Sequence, residues 1–158
     1  GVVTLTERFG DLSEAEAYPK MRELLAEYVE PWATKHGVRD ALADKASHIV
    51  GTSGTVTTLA GIHKNLIRYV RRQIDGTHLD FADIERLSHE IAAMDPATRA
   101  RNRCIGVDRA DLIVAGCAIL LAICRRWPVG HLRVGDRGLR EGILLELTAA
   151  RRAMVQAD

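Results

Sequence analysis

The feature that most constrains the fold is a glycine-rich stretch at residues 49–60, which reads IVGTSGTVTTLA. Its first two residues are β-branched and apolar, and they predict the end of a strand. Two glycines interleaved with hydroxyl residues follow, and they predict a tight loop because glycine accepts backbone angles that other residues avoid. From Thr55 onward the pattern predicts a helix. The stretch therefore predicts a strand, a tight loop and a helix start in immediate succession.

The predicted loop has the residues that an anion-binding turn needs. Gly51 and Gly54 allow a ligand to approach the backbone closely, and Ser53 or Thr55 can cap the helix that follows. Because the first amides of a helix carry partial positive charge, such a loop favours an anion such as phosphate. The alternative is an ordinary capped turn, since the sequence has no lysine after the second glycine and no G-x-G-x-x-G fingerprint. The loop alone leaves both interpretations open.

The composition sets few limits on the partners of the chain. Its 158 residues are 47% hydrophobic, which predicts one domain with a substantial core. Lysine and arginine total 22 against 21 acidic residues, so the net charge of +1 gives no reason to expect nucleic acid or a membrane as a partner. Three cysteines without a C-x-x-C pair favour a reducing compartment, and we expect a cytoplasmic protein. The histidines are scattered, so they predict no metal site.

Hydrophobic patterning predicts three strands, at residues 2–7, 49–50 and 131–134, and a short extended piece at residues 77–79. Helical patterns lie between them, and the order is strand, helix, strand, helical insert, helix, strand, helix. This alternation predicts an α/β fold with helices packed on a sheet. Three strands are too few to complete such a sheet, so we expect it to be incomplete.

Three predicted helices have definite faces. The first has a predicted buried face formed by Met21, Leu24, Leu25, Tyr28, Val29 and Trp32. Pro31 should kink or end this helix, and Gly37 should close it. A helix over residues 109–126 is apolar nearly all round, which predicts burial on several sides, and Gly116 within it indicates a close approach of another backbone. The last helix has one apolar face, formed by Leu139, Ile143, Leu147 and Ala150.

Three blocks of this sequence resemble the successive signature blocks of the exopolyphosphatase and guanosine pentaphosphate phosphatase (Ppx/GppA) family. The blocks are residues 49–60, residues 108–120 (DRADLIVAGCAIL) and residues 138–144 (GLREGIL), and residues 1–7 resemble the strand that precedes them. They occur in the family order and span nearly the whole chain. Two positions depart from the family pattern, with Asp108 where glutamate is usual and Ala115 where proline is common.

The resemblance implies an actin-like fold, in which two ribonuclease-H-like halves enclose a phosphate-bearing ligand. Residues 1–158 would be most of the second half, without its first two strands and without the whole first half. The chain would then be an α/β half-domain whose incomplete sheet is flanked by helices. Its sheet would be completed by residues outside this sequence, by a partner chain or by rearrangement. We therefore expect the chain to be part of a longer polypeptide.

The resemblance also implies a function. The parent protein would hydrolyse terminal phosphoanhydride bonds of polyphosphate or pppGpp, with water as the nucleophile and Mg²⁺ as cofactor. Its catalytic residues and the Mg²⁺ ligands would lie outside this chain. The residues implied to bind substrate are Gly51, Thr52, Ser53, Gly54, Thr55 and Arg109. Structural support would come from Gly116, Arg140 and Glu141, the last two as a pair that holds the final helix near the loop.

Alternatives remain open at this point. Arg109 could instead cap a helix or form an ion pair with Asp108 or Asp111. The parent could be a non-catalytic sensor that binds guanosine penta- or tetraphosphate, or an actin-like kinase of small metabolites. A homodimer is a further option, and the chain alone is expected to be inactive.

Overall fold

The computed structural model describes residues 1–38 and 48–157. The α-helices in this part of the chain are α1 (Val2–Phe9), α2 (Glu14–Lys35), α3 (Gly54–His63), α4 (Arg71–Ile74), α5 (Phe81–Ala93), α6 (Pro96–Arg101), α7 (Ile113–Arg126) and α8 (Leu139–Ala157). The strands are β1 (Ile49–Gly51), β2 (His78–Asp80) and β3 (His131–Val134), and a 3-10 turn (Val107–Arg109) precedes α7. No helix among these residues is long and apolar enough to cross a membrane.

The three strands form one open sheet in the order β1-β3-β2. β1 runs parallel to β3, and β2 runs antiparallel to it. Parallel strands end at the same edge of a sheet, so the loops that follow β1 and β3 lie side by side. The amide of Gly135 donates to the carbonyl of Gly51 at 2.8 Å, which joins the two loops directly. Ligands of open α/β sheets bind at this edge, and the glycine-rich loop lies there.

Helix α7 lies at the centre of the core. It contacts α1, α2, α3 and α5, and nine of its residues are buried. The prediction of a helix buried on several sides is confirmed, although the helix begins at Ile113 rather than at residue 109. Residues Val107–Arg109 form a 3-10 turn instead, which starts after Gly106 with a positive φ of 76°. This turn is what carries Arg109 towards the sheet edge.

The predicted first strand at residues 2–7 is wrong, because this segment forms helix α1. Val2, Leu5 and Phe9 are spaced three and four apart, and all three side chains lie in or against the core. The Thr6 hydroxyl donates to the carbonyl of Val2 at 2.9 Å, so this β-branched residue is accommodated within the helix. Contact of α1 with α7 outweighs the strand propensity of the segment. The third strand of the sheet is β2, which arises from the predicted extended piece at residues 77–79.

Helix α2 ends just before Gly37 as predicted, and its predicted face is buried in part, with Met21 in the core and Leu24 and Leu25 packed against it. The amide of Ser13 donates to Glu16 Oε2 at 3.2 Å at the start, and Gly37 with a φ of 61° follows the end. Pro31 does not stop the helix, which continues to Lys35. Tyr28 and Trp32 are 65% and 53% exposed, so their predicted burial is wrong.

Neither the predicted face of α2 nor the apolar face of α8 is buried along its whole length in the described structure. The inner face of α2 carries the small side chains of Ala17 and Ala33 beside Met21, and patterns based on large apolar residues overlook alanine. On α8, Leu139 and Leu147 are exposed in the described structure, and Ile143 is about half exposed. The predicted contribution of Ala150 lies outside the described side chains.

Candidate functional site

The glycine-rich loop forms the sharp connection from β1 to α3, as predicted. Ser53 is the N-cap of α3, and its Oγ accepts a hydrogen bond from the amide of Val56 at 3.4 Å. The amides of Gly54 and Thr55 are the first two of the helix, so no carbonyl of an earlier helical turn accepts from them. A Cβ at Gly51 would lie 2.9 Å from Val56 Cγ2, so only glycine fits between the strand and the helix. The loop therefore presents free amides and the positive end of α3 at the sheet edge.

Thr52 and Thr55 pack against two different neighbours of this loop, Gly135 and Gly116. A Cβ at Gly135 would lie 3.2 Å from the Thr52 methyl, which shows how closely the loops after β1 and β3 approach. The Thr55 side chain lies against Gly116 of α7, where an added Cβ would overlap Thr55 Oγ1. Thr55 consequently offers its amide rather than its hydroxyl to a ligand. Gly116 makes room for this side chain, so the predicted approach of another backbone is wrong: the nearest atoms belong to the Thr55 side chain.

Arg109 reaches the loop from the 3-10 turn, 55 residues further along the chain. Its NH1 donates to the carbonyl of Gly54 at 3.4 Å and to the hydroxyl of Thr58 at 3.3 Å. The guanidinium covers Gly54 so closely that a Cβ there would lie 3.3 Å from Arg109 Cζ. Arg109 forms no ion pair with Asp108 or Asp111, both of which the structure describes, so that alternative is not realised. The two hydrogen bonds thus hold the Arg109 guanidinium beside the free amides of α3.

Thr58 anchors Arg109 and was not singled out in the sequence. Its side chain is fully buried, and its hydroxyl donates to the carbonyl of Cys104 at 3.3 Å while accepting from Arg109. The available signal was a polar residue one helical turn after Gly54, on the face turned towards the core. Thr58 therefore connects α3 to the segment that carries Arg109.

A small cavity of about 240 Å³ opens beside the loop. It is bounded by Ser53, Gly54 and Thr55 of the loop, by Arg109, by Leu112 and Ile113 at the start of α7, and by Val2 of α1. Polar groups of the loop and of Arg109 thus meet an apolar wall. Because α1 is a helix, its first residue reaches this site.

Glu141 fixes the start of α8, but its partner is not the predicted one. Its Oε2 accepts from the amide of Gly138 at 2.8 Å, and its Oε1 accepts from Arg71 NH2 at 2.9 Å. Arg140 is exposed and does not pair with it, so the predicted Arg140–Glu141 pair is wrong. The Gly138 amide and then the Arg71 guanidinium lower the pKa of Glu141 from 4.5 to about 2.

The loop after β3 is further tied to α4 and its flanks. Arg71 Nε donates to the carbonyl of Asp136 at 2.9 Å, and Asp75 Oδ1 accepts from the Asp136 amide at 2.9 Å. The Tyr69 hydroxyl bonds the Asp136 carboxylate. The sequence did not reveal this network because Asp136 lies more than 60 residues from its partners, outside any local pattern.

Comparison with known proteins identifies the group to which this chain belongs. Residues 1–150 match the model of the Ppx/GppA phosphatase family. The chain belongs to that family. The predicted family and α/β fold class are therefore both confirmed, with a small open sheet flanked by helices.

Relatives of this Ppx/GppA chain are about twice as long. Exopolyphosphatase 2 of Mycobacterium tuberculosis is 27% identical over 153 residues, which cover 93% of this chain and 46% of the relative. The Ppx/GppA protein of Aquifex aeolicus has 27% identity and a TM-score of 0.77, over 96% of this chain and 47% of its own. An exopolyphosphatase-like structure with 24% identity and a TM-score of 0.81 supports the fold, over 97% and 49% of the two chains. The chain spans about half the length of the curated relatives it matches.

The glycine-rich loop of this Ppx/GppA chain lacks the donors that magnesium prefers. Residues 1–38 and 48–157 contain no group of three or more His, Cys, Asp or Glu side chains that could hold a metal ion. The loop contributes amides and hydroxyls, and the charged side chain that covers Gly54 is the cation Arg109. Magnesium prefers carboxylate and phosphate oxygens, so this donor set does not suit it. A magnesium requirement stays an expectation for the longer protein.

Glu141 should make the stability of this chain depend on pH in acid. Its folded-state pKa lies below its ordinary value, so the carboxylate stabilises the fold above about pH 4.5, and this contribution is lost as the pH falls towards 2. We expect Glu141→Gln to lower stability at pH 7 and to flatten its decline between pH 5 and pH 2, measured by urea unfolding at each pH. Glu146→Gln, at an exposed position of the same helix, is the control. Parallel curves for the wild type and Glu141→Gln would contradict the assignment.

Proposed function

We propose that this chain is the substrate-binding part of a longer phosphatase, which hydrolyses terminal phosphoanhydride bonds of inorganic polyphosphate or of pppGpp. Family membership and the relatives named exopolyphosphatases support this proposal. The observation that carries it is the Arg109 guanidinium held over Gly54, beside the free amides at the start of α3. We call the longer protein the complete phosphatase, with residues 1–158 as the second half of its actin-like core.

The chemistry of this site is binding and charge neutralisation. A water attacks the terminal phosphorus in line and the bridging P–O bond breaks. The products are orthophosphate and a substrate that is one phosphate shorter. The substrate gathers negative charge on oxygens that backbone amides and an arginine can neutralise. Gly54 and Thr55 offer the amides, and Arg109 offers N–H groups beyond the two hydrogen bonds made by its NH1. Mg²⁺, when bound in the complete phosphatase, would neutralise further phosphate charge.

A second candidate function is a non-catalytic sensor of guanosine penta- or tetraphosphate. The loop provides amides, hydroxyls and a cation, which suit phosphate binding in either protein, and it has no carboxylate or histidine to act as a general base. Because the enzyme would take its catalytic residues from outside this chain, those residues decide between the two functions. No observation favours the small-metabolite kinase. Homodimer formation and cytoplasmic location stay predictions.

The deciding experiment is phosphate release by the complete phosphatase from polyphosphate and from pppGpp, each with and without Mg²⁺. Release of orthophosphate supports the enzyme, and binding of pppGpp without release supports the sensor. Gly54→Val should weaken either activity, because its side chain would displace the Arg109 guanidinium. The control is Gly142→Val, at a helical glycine with no neighbour within 4 Å of an added Cβ. If neither substrate binds, or if Gly54→Val changes nothing, the proposal is wrong.

Thr58→Val tests the anchoring of Arg109 with little change in side-chain volume. Valine cannot accept from Arg109 NH1 and leaves the carbonyl of Cys104 without its donor. We expect unfolding free energy to fall by about 1–2 kcal/mol and KM for polyphosphate to rise about threefold to tenfold. Thr148→Val, at an exposed position of α8, is the matched control. A loss of stability with an unchanged KM would show that Thr58 does not support substrate binding.

A further inference from the structure

Arg99 is a buried cation in the middle of α6. Its side chain is 1% exposed and is among the largest that the structure describes as fully buried. Burying a guanidinium is costly unless its donors are bonded. Nε donates to the carbonyl of Ala110 at 2.7 Å, and NH1 donates to the carbonyl of Met94 at 2.6 Å. Arg99 therefore joins the end of α5 to the segment just before α7.

The bond to Ala110 acts on the residue that follows Arg109. The amide of Ala110 donates to the carbonyl of Val107, and the amide of Leu112 donates to that of Arg109, so the turn is a short, internally bonded unit. The Arg109 side chain is exposed and is held to α3 by one nitrogen, NH1. The backbone of the turn must consequently be fixed from its inner side. The buried Arg99 side chain bonds the turn on that inner side, at the carbonyl of Ala110.

We infer that Arg99 is a positioning residue for Arg109. It holds the Ala110 carbonyl so that the 3-10 turn aims the Arg109 guanidinium at Gly54 and Thr58, and thereby at the phosphate groups of the substrate. Lysine cannot replace it fully, since a single ammonium group lacks the fixed fork that spans two separate carbonyls. This inference rests on the proposed function for its effect on substrate, but its structural part concerns the turn alone.

The experiment compares Arg99→Met and Arg99→Lys in the complete phosphatase, with polyphosphate as substrate. We expect Arg99→Met to raise KM about tenfold with kcat changed by less than about twofold, and Arg99→Lys to recover part of that loss. In an Arg109→Ala background, Arg99→Met should raise KM no further, because the side chain that it positions is gone. The control is Leu87→Ala, which removes buried volume from α5 and should leave KM unchanged.

Hydrogen–deuterium exchange provides a readout that does not depend on activity. Amides of residues 107–112 should exchange faster in both Arg99 variants, whereas those of β3 should keep their wild-type rates. Unchanged exchange at residues 107–112 would overturn the inference. So would an increase in KM from Arg99→Met that persists in the Arg109→Ala background. Should the wild type release no phosphate, the proposed function fails, while the exchange result still decides whether Arg99 holds the turn.

Discussion

Gly116→Ala is expected to destabilise the protein by about 2–3 kcal/mol, a large effect for the addition of one methyl group. The new Cβ would overlap Thr55 Oγ1 and would lie 3.2 Å from both Thr55 Cβ and Thr55 Cγ2. Rotating the Thr55 side chain moves Oγ1 and Cγ2 but leaves Thr55 Cβ at 3.2 Å, so it can relieve the overlap only in part. Helix α7 would have to shift away from α3 at the centre of the core. Urea unfolding of wild type and variant measures the loss.

The double variant Gly116→Ala/Thr55→Ala locates the cause. Removing the Thr55 hydroxyl and methyl clears two of the three close atoms, so more than half of the lost stability should return. Gly142→Ala is the control, since it places the same methyl on a helical glycine with open space around it. Alanine favours a helix by about 0.5–1 kcal/mol over glycine, so this control should stabilise. Equal losses at the two glycines would contradict the packing argument.

Local sequence patterns predicted the loop well because its physics is local. Strand β1, the N-cap at Ser53 and the helix start at Gly54 all arise within six residues. The steric need for Gly51 comes from Val56, five residues away. Such short-range causes leave their signature in the sequence itself. The role of Gly51 as a spacer nevertheless needed the structure, since glycine has several uses in a loop.

The sequence predictions were wrong where contacts between distant parts of the chain determine the structure. Residues 2–7 have the composition of a strand, yet contact with α7 makes α1 a helix. Trp32 has the helical spacing of a buried face, yet it is 53% exposed, whereas the adjacent Ala33 is buried. Glu141 was assigned to its neighbour Arg140, while its partner Arg71 lies 70 residues earlier. Residue spacing along one element cannot reveal a partner on another.

Arg109 combines the two cases, because its placement depends on a local 3-10 turn and on a contact with Gly54, far away in the chain. Its position in the chain gives no reason to expect contact with Gly54, and the family resemblance alone singled it out. The structure then provides a physical account, because Thr58, Cys104 and the 3-10 turn together bring the guanidinium to the loop. Since this guanidinium is bonded beside the free amides of α3 through NH1 and has further N–H groups left for a ligand, it should matter for binding much more than an ordinary surface arginine.

Arg109→Ala is therefore expected to raise KM of the complete phosphatase for polyphosphate by about 10- to 100-fold, which corresponds to losing charged hydrogen bonds worth about 1.5–3 kcal/mol. The measurement is steady-state phosphate release, with the unfolding free energy of the variant determined alongside. Arg103→Ala is the matched control, since it removes an equal charge from an exposed position six residues earlier. If both variants weaken binding equally, the effect is general electrostatic attraction and not contact at the loop. If the Arg109 variant alone loses affinity while remaining folded, the start of α3 is where the phosphates bind.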